Sequence, residues 1–214
     1  MTDNTVTPPV GLAAPAEEPH TIALRYAGFW PRLGALLLDI VLLAPLGGLA
    51  WWGYTHVRLL PLYFAVPDVL VGLLYNVYLV QRFGGTPGKL IVGIRIRKVN
   101  GSPVGYREAF LRYLPEFVLG VLGSLAFVSA VLQMSDSEYP LSFTELTTRV
   151  MPLMPSWYKP VHWTENIWMW GELIVLLTNR KRRALHDFIA GTVVVHCSSI
   201  ASSAPLAPAH TAAV

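Results

Sequence analysis

The sequence predicts an all-α membrane protein, a four-span transmembrane helical bundle with a small cytoplasmic β-hairpin or sheet. Three observations lead there. Hydrophobic residues make up 53% of the 214-residue chain and charged residues 14%, against ~25% charged in a typical soluble domain. The apolar residues gather in four runs, at about residues 31–52, 59–80, 114–132 and 163–178. Two short β-branched stretches, at 89–99 and 192–196, each lie beside a basic cluster.

Residues 1–24 are rich in Thr, Pro, Ala and Glu without an apolar period, and are expected to form a disordered tail. No basic segment precedes a short apolar core, so no cleavable signal peptide is expected. The membrane domain is placed at residues 25–197, followed by a second disordered tail at 198–214 rich in Ala, Ser and Pro.

In the first span Pro31 is tolerated, because the first helical turn does not need its missing N–H. Phe29, Trp30, Trp51 and Trp52 bracket the run as an interfacial aromatic belt. Arg32 and Asp39 stand seven positions apart, roughly 10 Å along a helix and on nearly one face. An ionised carboxylate there must face protein or water, so the chain has to supply partners for Asp39.

The second span carries Pro61, Pro67, Asp68 and Asn76. If Pro67 starts the regular helix, Asp68 is an N-terminal residue favoured by the helix dipole. If the helix starts earlier, Asp68 is a carboxylate inside the membrane. Gly85, Thr86, Pro87, Gly88 and Lys89 then form a structural turn. Residues 89–99 read as a strand, closed by the turn-forming pair Asn100 and Gly101.

From Tyr106 the pattern becomes helical and leads into the third span. There Gly120 with Ser124, and Ala126 with Ala130, place small residues four apart, which suits helix–helix contact. Residues 133–162 read as a polar loop, with a short helix over 142–150 capped by Ser142 and Glu145. The fourth span holds Glu172. Four consecutive basic residues follow, Arg180 to Arg183, then His186 and Asp187, a break at Gly191, and a strand over 192–196 whose natural partner is 89–99.

Lys and Arg number two up to Arg32, one in the first loop, seven in the second, two in the third and four after the last span, which accounts for all 16. Loops on the side of the termini therefore hold 13 and the opposite loops 3. The positive-inside rule places both termini in the cytoplasm and the protein in the plasma membrane.

Composition also narrows the function. The net charge of +3 is spread among loops, so nucleic-acid binding is not expected. Cys197 is the only cysteine, which excludes an intramolecular disulfide. The glycine-rich turn lacks the spacing of a phosphate-binding loop. His56, His162 and His196 show no metal-ligand spacing, and Ser124, Ser129 and Ser142 have no accompanying His/Asp pattern. No enzyme activity, metal or cofactor is expected.

Three fragments recur together: Arg32 with Asp39, the turn from Gly85 to Lys89, and Leu185, His186 and Asp187 followed by Ala190, Gly191 and Thr192. In this order they resemble the RDD family of bacterial membrane proteins, named for an arginine and two aspartates, over about residues 25–196. The resemblance assigns the arginine to Arg32 and the aspartates to Asp39 and Asp187. It implies a transport role, with cation/proton exchange suggested for some members. The 133–162 loop is an elaboration that many members lack.

Beside the resemblance stands a physical reading. Arg32 is expected to pair with Asp187, and its five donors also allow it to approach Asp39. Two functions compete. In one, Asp39, Asp68, Glu172 and His186 line a path for a small ion or solute. In the other, Arg32, Asp39 and Asp187 form a structural network in a non-transporting interaction or assembly factor. The expected partners are the lipid bilayer, a second copy through the small-residue face of the third span, and proteins of unknown identity.

Overall fold

The computed structural model describes residues 25–198. Both expected tails, except Ser198, lie outside the described residues. The first helix, α1, spans Phe29–His56. The second begins as α2 (Leu60–Leu73), passes through a π-helical segment (Leu74–Tyr78) and continues as α3 (Leu79–Phe83). Pro67 is an interior residue of α2, preceded by a full turn of helix. Asp68 is therefore not at a helix N-terminus, and the dipole reading of it is overturned.

Gly84 ends α3 in the left-handed region, at φ 81°. Its N–H donates to Val80 O at 2.9 Å, and its carbonyl accepts from Ile96 N at 2.6 Å. The chain then starts a short helix, α4 (Pro87–Ile91), with Pro87 in its first turn. Residues 89–91 of the expected strand are thus helical, and strand β1 is confined to Ile94–Lys98. Proline at the start of a helix costs no hydrogen bond, whereas in a strand it would remove a ladder bond.

Helix α5 runs over Tyr106–Val131. The 133–162 segment is more ordered than a loop. It contains a 3₁₀ turn (Asp136–Glu138) and α6 (Phe143–Leu153), where the Ser142 hydroxyl accepts from Glu145 N at 3.2 Å and the Glu145 carboxylate accepts from Ser142 N at 2.9 Å. Helix α7 begins at Tyr158, five positions before the apolar run, and extends to Thr178. A five-residue helix, α8 (Leu185–Ile189), leads into β2 (Thr192–His196).

Strands β1 and β2 pair antiparallel, with Ile94 opposite His196 and Lys98 opposite Thr192. The residues before α1 join this sheet, since Ala27 N donates to Val194 O at 2.8 Å and His196 N to Arg25 O at 3.0 Å. Ile94, Ile96, Val194, Ala27, Ala35 and Ala109 close a core beneath the sheet. A second core forms at the far end of α1 and α5, where Val131, Met134, Leu146 and Val150 pack beside Trp51 and Tyr54.

Among the described residues, three helical stretches are long and apolar enough to cross a membrane: Phe29–His56, Leu60–Ile91 and Tyr106–Val131. Helix α7 has 21 residues but carries Lys159, His162, Glu165, Asn166 and Glu172, which lower its hydropathy. Much of the apolar surface faces outward, as at Val41, Leu49, Leu70 and Leu125. In a water-soluble fold such a surface would be buried; here it meets lipid. Ala126 and Ala130 are fully buried within the chain, so that half of the third helix's small-residue stripe packs internally and is not free for a second copy.

Candidate functional site

The polar residues of the bundle assemble into three neighbouring groups. The first centres on Asp187, which is completely buried. Asp187 is the third residue of α8, so its carboxylate reaches back to Ala184 N at 3.1 Å. Arg32 Nη1 donates to Oδ2 at 2.7 Å, and Arg112 Nη1 donates to Oδ1. Thr192 Oγ1 also donates to Oδ1, at 3.1 Å. Burial by itself would raise the Asp187 carboxyl, but Arg112, His186 and Arg32 hold it well below the usual carboxylate range.

The same node ties the basic run into the fold. Arg32 Nη2 donates to the carbonyl of Arg182 at 2.6 Å. Arg182 has φ 49°, an uncommon conformation for a residue with a side chain. Arg183 donates to Thr192 O at 3.1 Å and Asp187 O at 2.9 Å, and its guanidinium lies 4.1 Å from the Phe188 ring. Two of the four residues that mark topology by charge thus also fasten the C-terminal segment.

The second group centres on Asp39, and Arg32 is not part of it. Its carboxylate accepts from Tyr75 Oη at 2.5 Å, Thr86 Oγ1 at 2.5 Å and Gly88 N at 2.6 Å. The π-helical segment supplies Tyr75, and the glycine-rich turn supplies the other two donors. A Cβ on Gly88 would lie 2.7 Å from Asp39 Oδ1 and press on the Ala35 carbonyl, so only glycine lets α4 approach α1 this closely. Arg32 is engaged elsewhere: besides Asp187 and Arg182, its Nε donates to Ala27 O at 3.3 Å. The expected approach of Arg32 to Asp39 does not occur, and the polar turn takes its place. Lys89 Nζ donates to Thr86 Oγ1 at 3.2 Å behind this clamp.

The third group was not legible as a unit in the sequence. Glu116 from α5, Glu172 from α7 and His186 from α8 each direct one ligand-capable atom into a region where all three lie within 4.8 Å of one another. His186 Nδ1 meets Glu172 Oε1 directly and is 3.9 Å from Glu116 Oε1. Trp168 Nε1 donates to Glu116 Oε1 at 3.3 Å. Glu116 Oε2 and His186 Nε2 are buried without a hydrogen-bond partner.

Two cavities meet at this group. One, of about 310 Å³, is lined by Asn76, Tyr113, Glu116 and His186. The other, of about 470 Å³, is lined by Leu36, Trp170, Glu172 and His186. Lys89 and Arg112 border both. Asp68 stands apart, in a third cavity of about 430 Å³ with Trp51, Tyr54 and Phe127, near the far end of the bundle.

Sequence reasoning missed Arg112 and Glu116. Arg112 lies just ahead of the apolar run expected at 114–132 and Glu116 just inside its start. Their four-residue spacing puts them on one helix face, and that spacing was the available signal. Of the residues expected along a path, His186 and Glu172 meet directly, and Asp187 Oδ1 lies 3.9 Å from His186 Nε2.

The model of the RDD family matches residues 26–191. The uncharacterized protein YckC of Bacillus subtilis (strain 168) is 38% identical over 173 residues, covering 80% of this chain and 85% of the relative. The uncharacterized membrane protein YteJ of the same organism is 27% identical over 120 residues, covering 46% of this chain and 68% of the relative. No solved structure matches the chain.

Proposed function

The chain belongs to the RDD family, and from that premise we propose that it is a four-span plasma-membrane protein that carries a small cation across the bilayer in exchange for protons. The observation that carries this reading is the convergence of Glu116, Glu172 and His186 from three helices between two cavities. Carboxylates in a membrane bundle attract protons and cations alike, and the two compete for the same negative charge.

The other acidic groups divide by their partners. Asp187 and Asp39 are saturated by donors and act as clamps. Asp68 borders the cavity near the far end, where an ion could be received from or released to the opposite side.

Helix α7 serves as the fourth span. Its 21 residues extend ~31 Å, the thickness of the hydrocarbon core. Trp163, Ile167, Trp170, Ile174 and Leu177 form an exposed apolar stripe along it. Helix α5 ends in the core beside Trp51, while α8 and β2 return to the start of α1, so α7 spans the same distance in reverse. The charge imbalance of the loops then sets the sheet and both termini in the cytoplasm. Four spans make a thin bundle, so transport would use more than one copy.

The test is flux in liposomes holding purified protein and a trapped pH indicator. A gradient of Na⁺, K⁺, Mn²⁺ or Zn²⁺, each tried in turn, should for at least one of them produce a pH change that Glu172→Gln abolishes. No pH change with any of these ions, from folded protein, would overturn proton-coupled cation transport.

A non-transporting assembly factor is the second reading. It is favoured by the ordered segment around α6, where Phe143 and Met151 are exposed beside the packed Leu146 and Val150. It predicts that changes in α6 abolish function while Glu172→Gln preserves it.

A further inference from the structure

The group of Glu116, Glu172 and His186 has the donor chemistry of a transition-metal site, and we propose that it binds one divalent transition-metal ion. This names the ion class for the cation site put forward above, and rests on that reading for its role but not for the binding itself. The three donors are two carboxylate oxygens and one imidazole nitrogen, all within 4.8 Å of one another. Two ligands held 2.1 Å from a tetrahedral metal stand ~3.4 Å apart. The 3.9 Å between His186 Nδ1 and Glu116 Oε1 is close to that. The tighter His186–Glu172 contact opens to it by side-chain rotation.

Independent features point the same way. Glu116 Oε2 is buried without a hydrogen-bond partner, although a bundle interior normally satisfies such atoms. Metal on Nδ1 would fix the imidazole proton on Nε2, which faces Asp187 Oδ1 at 3.9 Å. A carboxylate behind a ligating histidine is the usual orienting arrangement at a metal site. Trp168 Nε1 donates to Glu116 Oε1, the same oxygen that faces His186 Nδ1, and so fixes that carboxylate in place. The adjoining cavity of about 310 Å³ leaves room for a water to complete the coordination.

The donor types also select the ion. Na⁺, K⁺, Mg²⁺ and Ca²⁺ prefer all-oxygen sites, and an imidazole nitrogen disfavours them. No thiolate is present to favour Cu⁺. Zn²⁺, Co²⁺ and Mn²⁺ accept a mixed set of nitrogen and carboxylate.

The experiment is calorimetric titration of untagged, full-length protein in detergent with Zn²⁺. The expected result is one saturable site per chain. Glu116→Gln and Glu172→Gln, each nearly isosteric, should each weaken it at least tenfold. His162→Gln, at an exposed position near the start of α7 where the ring meets Tyr158, Glu165 and Asn166, should leave it unchanged. Millimolar Mg²⁺ or Na⁺ should not compete. Co²⁺ absorption of the wild-type protein gives a measure that does not depend on any variant folding: a ligand-field band displaced by Zn²⁺ supports the site.

Wild-type protein that binds no Zn²⁺ saturably overturns the proposal, and so does binding unaffected in both glutamate variants. In that case the contacts of His186 with the two glutamates serve only to join α8 to α5 and α7. Zn²⁺ binding without any cation flux would retain the site and reject the transport reading. Na⁺ or K⁺ exchange without Zn²⁺ binding would do the reverse.

Discussion

Arg32 and Asp187 lie 155 positions apart in the chain and 2.7 Å apart in the fold. Their pairing closes the bundle, since it joins the first helix to the last segment before β2. Arg112 shares the same carboxylate from α5, so one buried anion is held by two cations from different helices.

Removing that anion should be costly. Asp187→Asn keeps the size of the side chain but leaves two buried guanidinium groups facing a neutral amide. Breaking a buried ion pair from one side typically destabilises by ~3–5 kcal/mol. Thermal unfolding in detergent should show a large loss of stability, accompanied by faster proteolysis near Arg182. A variant with wild-type stability would mean that water or lipid head groups compensate the arginines.

The pH dependence follows from the same node. Arg112 and Arg32 help to hold the folded Asp187 carboxyl below its ordinary range against the opposing effect of burial. A depressed folded value contributes stability that is fully present above the unfolded value, near ~3.9 for Asp. That contribution falls away as the pH drops below it, towards the folded value. The stability gap between wild type and Asp187→Asn should therefore be constant from neutral pH to about pH 5 and shrink only below about pH 4. A gap that closes between pH 5 and 7, followed by chemical unfolding across a pH series, would contradict this assignment.

Gly88 and Gly120 provide a matched pair of substitutions. Gly88→Ala places a methyl group against the Ala35 carbonyl and Asp39, whereas Gly120→Ala meets nothing within 4 Å. Overpacking at the first site should destabilise by ~1–3 kcal/mol. The second lies inside α5, where alanine should be neutral or stabilising by up to ~1 kcal/mol. Unfolding curves of the two variants should shift in opposite directions, or only Gly88→Ala should shift.

Four crossings can be tested by thiol labelling in a Cys197→Ser background. Ser137→Cys, in the segment between α5 and α6, should react with an impermeant reagent from outside the cell. Lys181→Cys, between α7 and α8, should react only after the membrane is opened. Both positions are exposed. Labelling of both from one side would leave an odd number of crossings and remove α7 from the bilayer.

Much of the fold was legible because it depends on local composition. The long apolar helices follow from apolar runs too long for an ordinary soluble helix. The α6 start follows from Ser142 and Glu145, which satisfy each other's backbone groups within three residues. Strand β2 follows from three consecutive valines after Gly191. The boundary errors are local as well: Pro67 sits inside α2, and Pro87 starts α4, whose residues 89–91 were expected in a strand. In both cases backbone hydrogen bonding around the proline, not its presence, decides whether helix continues.

By itself the sequence determined a membrane-embedded helical chain with a small sheet, and it named Arg32, Asp39 and Asp187 as the polar residues to explain. Only the tertiary structure decided who meets whom. It gave Asp39 to Tyr75, Thr86 and Gly88 rather than Arg32, added Arg112 to Asp187, and drew Glu116, Glu172 and His186 together. The physical reason is that periodicity fixes which face of a helix a residue occupies, while a charge pair depends on which other helix lies against that face. In a medium that does not solvate charge, each buried carboxylate is held by whichever donors the packing brings within about 3 Å.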